Sequence, residues 1–226
     1  KGNTSEGVAY IKEQEALKTK KLSKKLTNKR IEEKTTLIKE GKLDVFSMFD
    51  DYALYGDSRV YGFGTYGFLP WNSVFAAAGN TILNISDFNE QLKQINPSKL
   101  YFSYGVNDMG LDLKKEGGTY ADLYEEKVKE VLKIVPKAHV FINSIIPPTA
   151  ETLAETPRWG KANEYTTQLK AMCEKNGWTY IDVTGVTENG NPEFYQPDGI
   201  HFVRDIYPVW AQKIIDATIN EEEHSK

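Results

Sequence analysis

The sequence predicts an α/β fold built on a parallel sheet, and three observations carry that prediction. From Asp44 onward, short apolar runs alternate with stretches of helical periodicity, the texture of βαβ units. Five of the runs have the length and composition of strands: Asp51–Tyr55, Thr81–Ile85, Lys99–Tyr104, Val140–Ile145 and Trp178–Val183. The 226 residues are enough for one well-buried domain and too few for two.

Between Gly7 and Glu40 the chain is dense in Lys and Glu. Ile11, Leu17, Leu22, Leu26, Ile31, Leu37 and Ile38 recur there irregularly at helical intervals, which predicts a long amphipathic helix. Ser5 is placed to cap its start, and Gly41 suits the left-handed position that ends helices. Charge runs on helices usually face water. Residues 1–43 therefore read as a solvated helical extension packed on a domain spanning 44–220, in preference to a membrane stalk or a lysine face for an anionic polymer. Ser86 opens a helix that stops before Asn96-Pro97, and Thr119 with Asp122 makes a capping-box-like start for one carrying Leu123, Val128, Val131 and Leu132. A third runs from near Lys161 to Lys175 and ends at Asn176-Gly177. The last, near Ile206 to Ile219, places Ile206, Val209, Trp210 and Ile214 on a buried stripe, and residues 221–226 read as an acidic tail.

Composition narrows the function. A net charge of −4 with signs mixed throughout gives no electrostatic case for nucleic acid. No apolar run is long enough to span a bilayer. Cys173, the single cysteine, excludes an internal disulfide, and its place beside Met172 in a helical pattern suits a small buried apolar residue. No His, Cys and carboxylate cluster has metal-ligand spacing, and no Gly-rich loop matches a nucleotide motif; the sequence thus calls for neither metal nor cofactor. The chain begins at Lys1 rather than Met. The expectation is a removed N-terminal segment, and a lost secretion signal or anchor would fit an extracytoplasmic protein held near a membrane or cell wall.

Four short motifs occur in one order: Gly56-Asp57-Ser58, Gly79, Gly105-Val106-Asn107-Asp108 and Asp198-Gly199-Ile200-His201. Hydrolysing an ester near neutral pH needs a hydroxyl nucleophile, a base for its proton, a group that orients the base, and donors for the developing oxyanion. Two of the motifs directly follow the first and third expected strands, where open α/β sheets form their sites. The set resembles the SGNH hydrolases, the GDSL-type esterases and lipases, over roughly Phe46 to Ile219. That resemblance implies a flavodoxin-like three-layer α/β/α sandwich with a five-stranded parallel sheet.

On this reading Ser58 is the nucleophile, His201 its base, and Asp198, three residues before the histidine, fixes the imidazole's tautomer. The backbone N–H of Ser58, the backbone N–H of Gly79 and the side-chain amide of Asn107 would form the oxyanion hole, although Gly79 also fits an ordinary tight turn. Asp57 and Asp108 fit backbone bonding in their turns better than chemistry. Arg59 could bind an anionic substrate group or pair with a nearby carboxylate. Tyr61, Tyr66, Trp71 and Met109 could line a sugar or acyl subsite, or simply pack. His139 and His224 fit structural and tail positions. The implied reaction is serine-dependent ester hydrolysis, with short acyl groups such as acetyl on a carbohydrate or cell-surface glycan expected. The alternatives are acyl transfer to a sugar by the same serine, and a surface binding module that retains the fold without turnover.

Overall fold

In the computed structural model, which describes residues 4–224, the alternation of apolar runs and helices becomes a sheet of five parallel strands. The chain divides into two compact units, one ending at Met48 and the other beginning at Phe49. The first unit is helix α1 (Thr4–Lys39), closed by Gly41 at φ 68°, and a 3-10 turn, Val45–Met48. Ser5 lies within α1 rather than ahead of it. The helix is as expected but its amphipathic character is not: Leu17, Leu22 and Leu26 are each more than half exposed, because their irregular spacing draws no single apolar stripe.

The second unit follows as β1 (Tyr52–Gly56), α2 (Ser58–Thr65), β2 (Val74–Ala76), a 3-10 segment (Ile82–Phe88), α3 (Asn89–Ile95), β3 (Lys99–Ser103), α4 (Val106–Gly110), α5 (Tyr120–Leu132), β4 (His139–Asn143), α6 (Ala150–Glu155), α7 (Ala162–Asn176), β5 (Thr179–Ile181) and α8 (Ile206–His224). Strand order is β2-β1-β3-β4-β5. This doubly wound order reverses direction between β1 and β3, and the crevice at such a switch point is where ligands bind.

Strand residues alternate between two cores. Ala53, Tyr55, Leu100, Phe102, Val140 and Ile142 face the layer that holds Tyr124 and Val128 of α5 and Leu169 and Cys173 of α7. Burial pushes the Cys173 thiol up to about 12, so it serves as a packed apolar group. On the opposite face, the Tyr101 hydroxyl lies 2.8 Å from Thr218 Oγ1, and Trp210 Nε1 donates to Asn143 Oδ1 at 3.1 Å, which seats α8. Phe63 of α2 packs 5.1 Å from Trp210, completing that layer.

Four expectations are corrected. The second strand is Val74–Ala76, ahead of Gly79, whereas Thr81–Ile85 begins a 3-10 segment that runs through Ser86, so the helix ahead of Asn96 opens at Asn89 and not at Ser86. Thr81 caps it: Leu83 N donates to Thr81 Oγ1, and Asn84 Oδ1 accepts from Thr81 N at 3.0 Å. Ile82 and Ile85, three apart, are buried while Leu83 is half exposed, a helical pattern that a five-residue apolar run conceals. The last helix continues through Glu221 and Glu222, which meet Thr179 and Lys99, so there is no separate tail before His224; Ser225 and Lys226 lie outside the described residues. Val209 is half exposed, because the buried stripe of α8 runs through Ile206, Tyr207, Trp210, Ala211, Ile214 and Ile215.

Candidate active site

Strand β1 delivers its C-terminal end directly into α2, with Asp57 as the only intervening residue. The Asp57 side chain caps the helix by accepting Arg59 N at 2.9 Å, which fixes Ser58 as the first helical residue. Donors in a first turn have no intrahelical acceptor, so the Ser58 N–H is available to a ligand. Burial raises the Asp57 carboxyl above its ordinary value, an effect that the neighbouring Arg59 charge partly offsets.

Ser58 Oγ lies 2.9 Å from His201 Nε2, and His201 Nδ1 lies 2.6 Å from Asp198 Oδ2. The second carboxylate oxygen of Asp198 accepts the backbone N–H groups of Ile200 and His201, both at 2.9 Å. Partial burial raises this carboxyl, but the hydrogen bonds from His201 and from the two amides outweigh it and hold Asp198 ionised below its ordinary value. An ionised Asp198 keeps the Nδ1 proton on its own side and leaves Nε2 to face Ser58.

The turn that carries the histidine is held by residues the motif reading did not include. Gly199 stands at φ 66°, and a Cβ there would come within 2.0 Å of Thr152 Oγ1 and 2.4 Å of Thr149 Oγ1, so only glycine fits. Thr149 N donates to Gly199 O at 2.9 Å, and Thr152 Oγ1 donates to Asp198 O at 3.1 Å. Thr149 is the N-cap of α6, and the Pro-Pro-Thr-Ala-Glu stretch was a legible capping signal. What it caps against was not.

Asn107 is the second residue of α4, after β3, and its amide donates to Asn80 O at 2.8 Å, which draws the loop after β2 alongside the switch point. An amide carries two N–H groups, so one remains for a ligand. Gly79, at φ 78° and exposed, lies in that same loop next to Asn80. Asp108 reaches beyond its own turn. It is fully buried and accepts Ile82 N at 2.9 Å, and burial pushes its carboxyl up to about 7.

Two side chains expected near a substrate face inward. Arg59 is buried, donates from Nε to Ile200 O at 2.9 Å and from Nη1 to Ile146 O, and lies 4.6 Å from the Phe202 ring centre. It braces the serine helix against the histidine turn. Met109 is a core residue: the fourth position of α4 lies on the helix face that packs into the core. Tyr66 ties α2 to the same turn through its hydroxyl, which donates to Phe202 O at 3.2 Å. Tyr61 and Trp71 stay outside, 40% and 49% exposed. His139 begins β4, at the end of the sheet opposite the site, and the His224 side chain lies outside the described residues.

Solved structures share this fold. A lipase/acylhydrolase from Enterococcus faecalis superposes with TM-score 0.57 at 16% identity, covering 77% of this chain and 96% of its own. A family 3 carbohydrate esterase from Clostridium thermocellum gives TM-score 0.57 at 16% identity over 76% and 96% of the two chains. An acetyl xylan esterase from Geobacillus stearothermophilus gives 0.53 at 16% over 74% and 93%. At such identities these matches show the fold alone. No curated protein matches the chain by sequence. The model of the GDSL-like Lipase/Acylhydrolase family, however, matches residues 54–207, which take in every motif from the serine to the histidine, and the chain therefore belongs to that family and is a carboxylic ester hydrolase.

Proposed function

We propose that the protein uses Ser58 to remove short acyl groups, acetyl foremost, from a carbohydrate or cell-surface glycan. The observation that carries the serine mechanism is the unbroken chain from Ser58 Oγ through His201 to Asp198. His201 Nε2 takes the hydroxyl proton as Oγ attacks the ester carbonyl, and the negative charge that develops on the carbonyl oxygen is received by the N–H groups of Ser58 and Gly79 and the Asn107 amide. The imidazolium, steadied by Asp198, returns the proton to the leaving sugar oxygen, which departs as the alcohol. Water then gives a proton to His201 and attacks the acyl-serine; collapse releases the carboxylic acid and restores Ser58.

Support for a short acyl group comes from the connections at the site. Only Asp57 separates β1 from α2, and only Tyr104 and Gly105 separate β3 from α4, so neither connection builds an apolar lid for a long chain. Support for a sugar alcohol comes from fold neighbours that are a carbohydrate esterase and an acetyl xylan esterase.

The test is covalent. A fluorophosphonate should label the wild type at Ser58, and Ser58→Ala should lose both labelling and turnover. His201→Ala should label far more slowly. If the wild type resists the probe and cleaves no ester across acetyl, butyryl and octanoyl substrates or acetylated sugars, the serine mechanism is wrong.

A further inference from the structure

We propose that Trp71 and Tyr61 form a stacking platform that takes a neighbouring pyranose ring of a glycan chain while its acetylated unit sits at Ser58, an inference that rests on the esterase reading above. Burying large aromatic rings is worth more than burying most other side chains, so two that remain exposed side by side are the informative exception. Trp71 is 49% exposed, Tyr61 is 40% exposed, and their ring centres are 4.7 Å apart at 49°.

The indole is held in place. A Cβ on Gly64 would meet Cη2, Cζ3 and Cε3 of Trp71 at 2.6, 2.6 and 2.7 Å, near-equal approaches that show the six-membered ring lying face-on against the bare Cα of α2. One face of the indole therefore rests on Gly64, the Tyr61 ring lies against it, and about half of the side chain stays open to a ligand. The Trp71 backbone is fixed by a turn in which Ser73 N donates to Pro70 O at 3.0 Å, so a ligand meets a preformed surface. Asn72, exposed beside it, supplies an amide for sugar hydroxyls.

Position ties the platform to the chemistry. Ser58, Tyr61 and Gly64 lie at successive three-residue steps on α2, so Tyr61 is about 4.5 Å and Gly64 about 9 Å along the axis from the nucleophile. Tyr61 is thus about 60° and Gly64 about 120° around the helix from Ser58, so the platform flanks the serine on one side of α2. The opposite side of α2 is filled by Phe63 and by Tyr207, whose hydroxyl accounts for the tight fit at Gly62. A pyranose ring offers an apolar face of C–H groups ringed by hydroxyls. A rigid indole edged by an amide matches both parts.

The experiment compares Trp71→Ala, Trp71→Phe and Tyr61→Ala with wild type on three acetyl esters: ethyl acetate, which has no ring to stack, O-acetylated xylo-oligosaccharides, and O-acetylated chito-oligosaccharides. The expected result is a roughly tenfold fall in kcat/KM for Trp71→Ala on at least one oligosaccharide, chiefly through KM, with ethyl acetate within twofold of wild type and Trp71→Phe in between. Circular dichroism and thermal melting report whether each variant folds, and Trp71→Phe carries the test if Trp71→Ala does not. Equal losses on ethyl acetate and on both oligosaccharides, or no loss on either oligosaccharide, would overturn the platform. If the wild type cleaves no ester, the esterase reading fails separately. Calorimetric titration of xylohexaose and chitohexaose into wild type and Trp71→Ala then decides the platform: binding that depends on Trp71 supports it, and no such dependence overturns it.

Discussion

Asp108 accepts the backbone N–H of Ile82 at 2.9 Å across 26 positions of sequence, one residue away from the Asn107 amide that holds Asn80 O at 2.8 Å. Consecutive side chains at the start of α4 thus pin consecutive parts of the loop that carries Gly79. The loop is positioned from outside itself, by a helix that also presents Asn107 to the switch point.

Asn107→Ala should lower kcat about a hundredfold on any ester the enzyme cleaves, with a smaller change in KM, because a preorganised donor acts mainly on the charge of the transition state. Steady-state kinetics on one short ester is sufficient. An unchanged kcat would assign the amide to loop pinning alone.

Asp108 gives a pH-dependent prediction. Its carboxyl is raised by burial from an ordinary value near 4 to about 7, so over that range the folded chain keeps a proton that the unfolded chain has lost. The resulting stability is full below the unfolded value and is lost as pH rises through the folded one. Asp108→Asn keeps an acceptor for Ile82 N but cannot ionise. The Tm of the variant minus that of wild type should therefore climb between pH 4.5 and 7.5 and then level off; a flat difference would show that Asp108 does not titrate in this window.

Arg59→Ala should destabilise the fold by about 2 to 4 kcal/mol, since it strands the buried carbonyl of Ile146 and frees the part-buried one of Ile200. It should also lower kcat/KM on neutral and anionic esters alike, through the loosened histidine turn. A KM increase confined to anionic esters, with Tm unchanged, would restore a substrate role for the guanidinium.

A chain beginning at Asp44 should fold cooperatively and cleave a small ester at a rate within about twofold of the full chain, because the second unit has its own core and holds every residue of the proposed mechanism. Thermal melting and kinetics of the shortened chain check this. Loss of a cooperative transition would show that Ile31, Leu37 or Ile38 belongs to that core.

Much of the site was legible because its parts are local. Asp198 and His201 are three residues apart, Asp57 caps the helix that Ser58 starts, and Thr119 with Asp122 closes the capping box of α5 as its spacing requires. The parallel sheet was legible for the same reason, since an apolar run that alternates with helical periods needs no long-range information. The misplaced second strand shows the limit. Thr81–Ile85 and Val74–Ala76 are both short and apolar, and what separates them is pairing: Val74, Phe75 and Ala76 find Leu54, Tyr55 and Gly56 across the sheet, while Thr81 finds Asn84.

The sequence by itself determined the fold class, the order of the motifs and the chemistry each residue type can perform, because those follow from periodicity, capping and functional groups within a few positions. Tertiary structure alone decided which side chains face a substrate. Arg59 and Met109 sit beside Ser58 and Asn107 in the chain yet point into the protein, whereas Thr149, Thr152 and Asn80, distant in sequence, hold the histidine turn and the loop that carries Gly79. The reason is physical. Adjacent residues on a helix point about 100° apart, so neighbourhood in sequence does not give neighbourhood in the site, and contacts across the sheet are fixed only when the strands have paired.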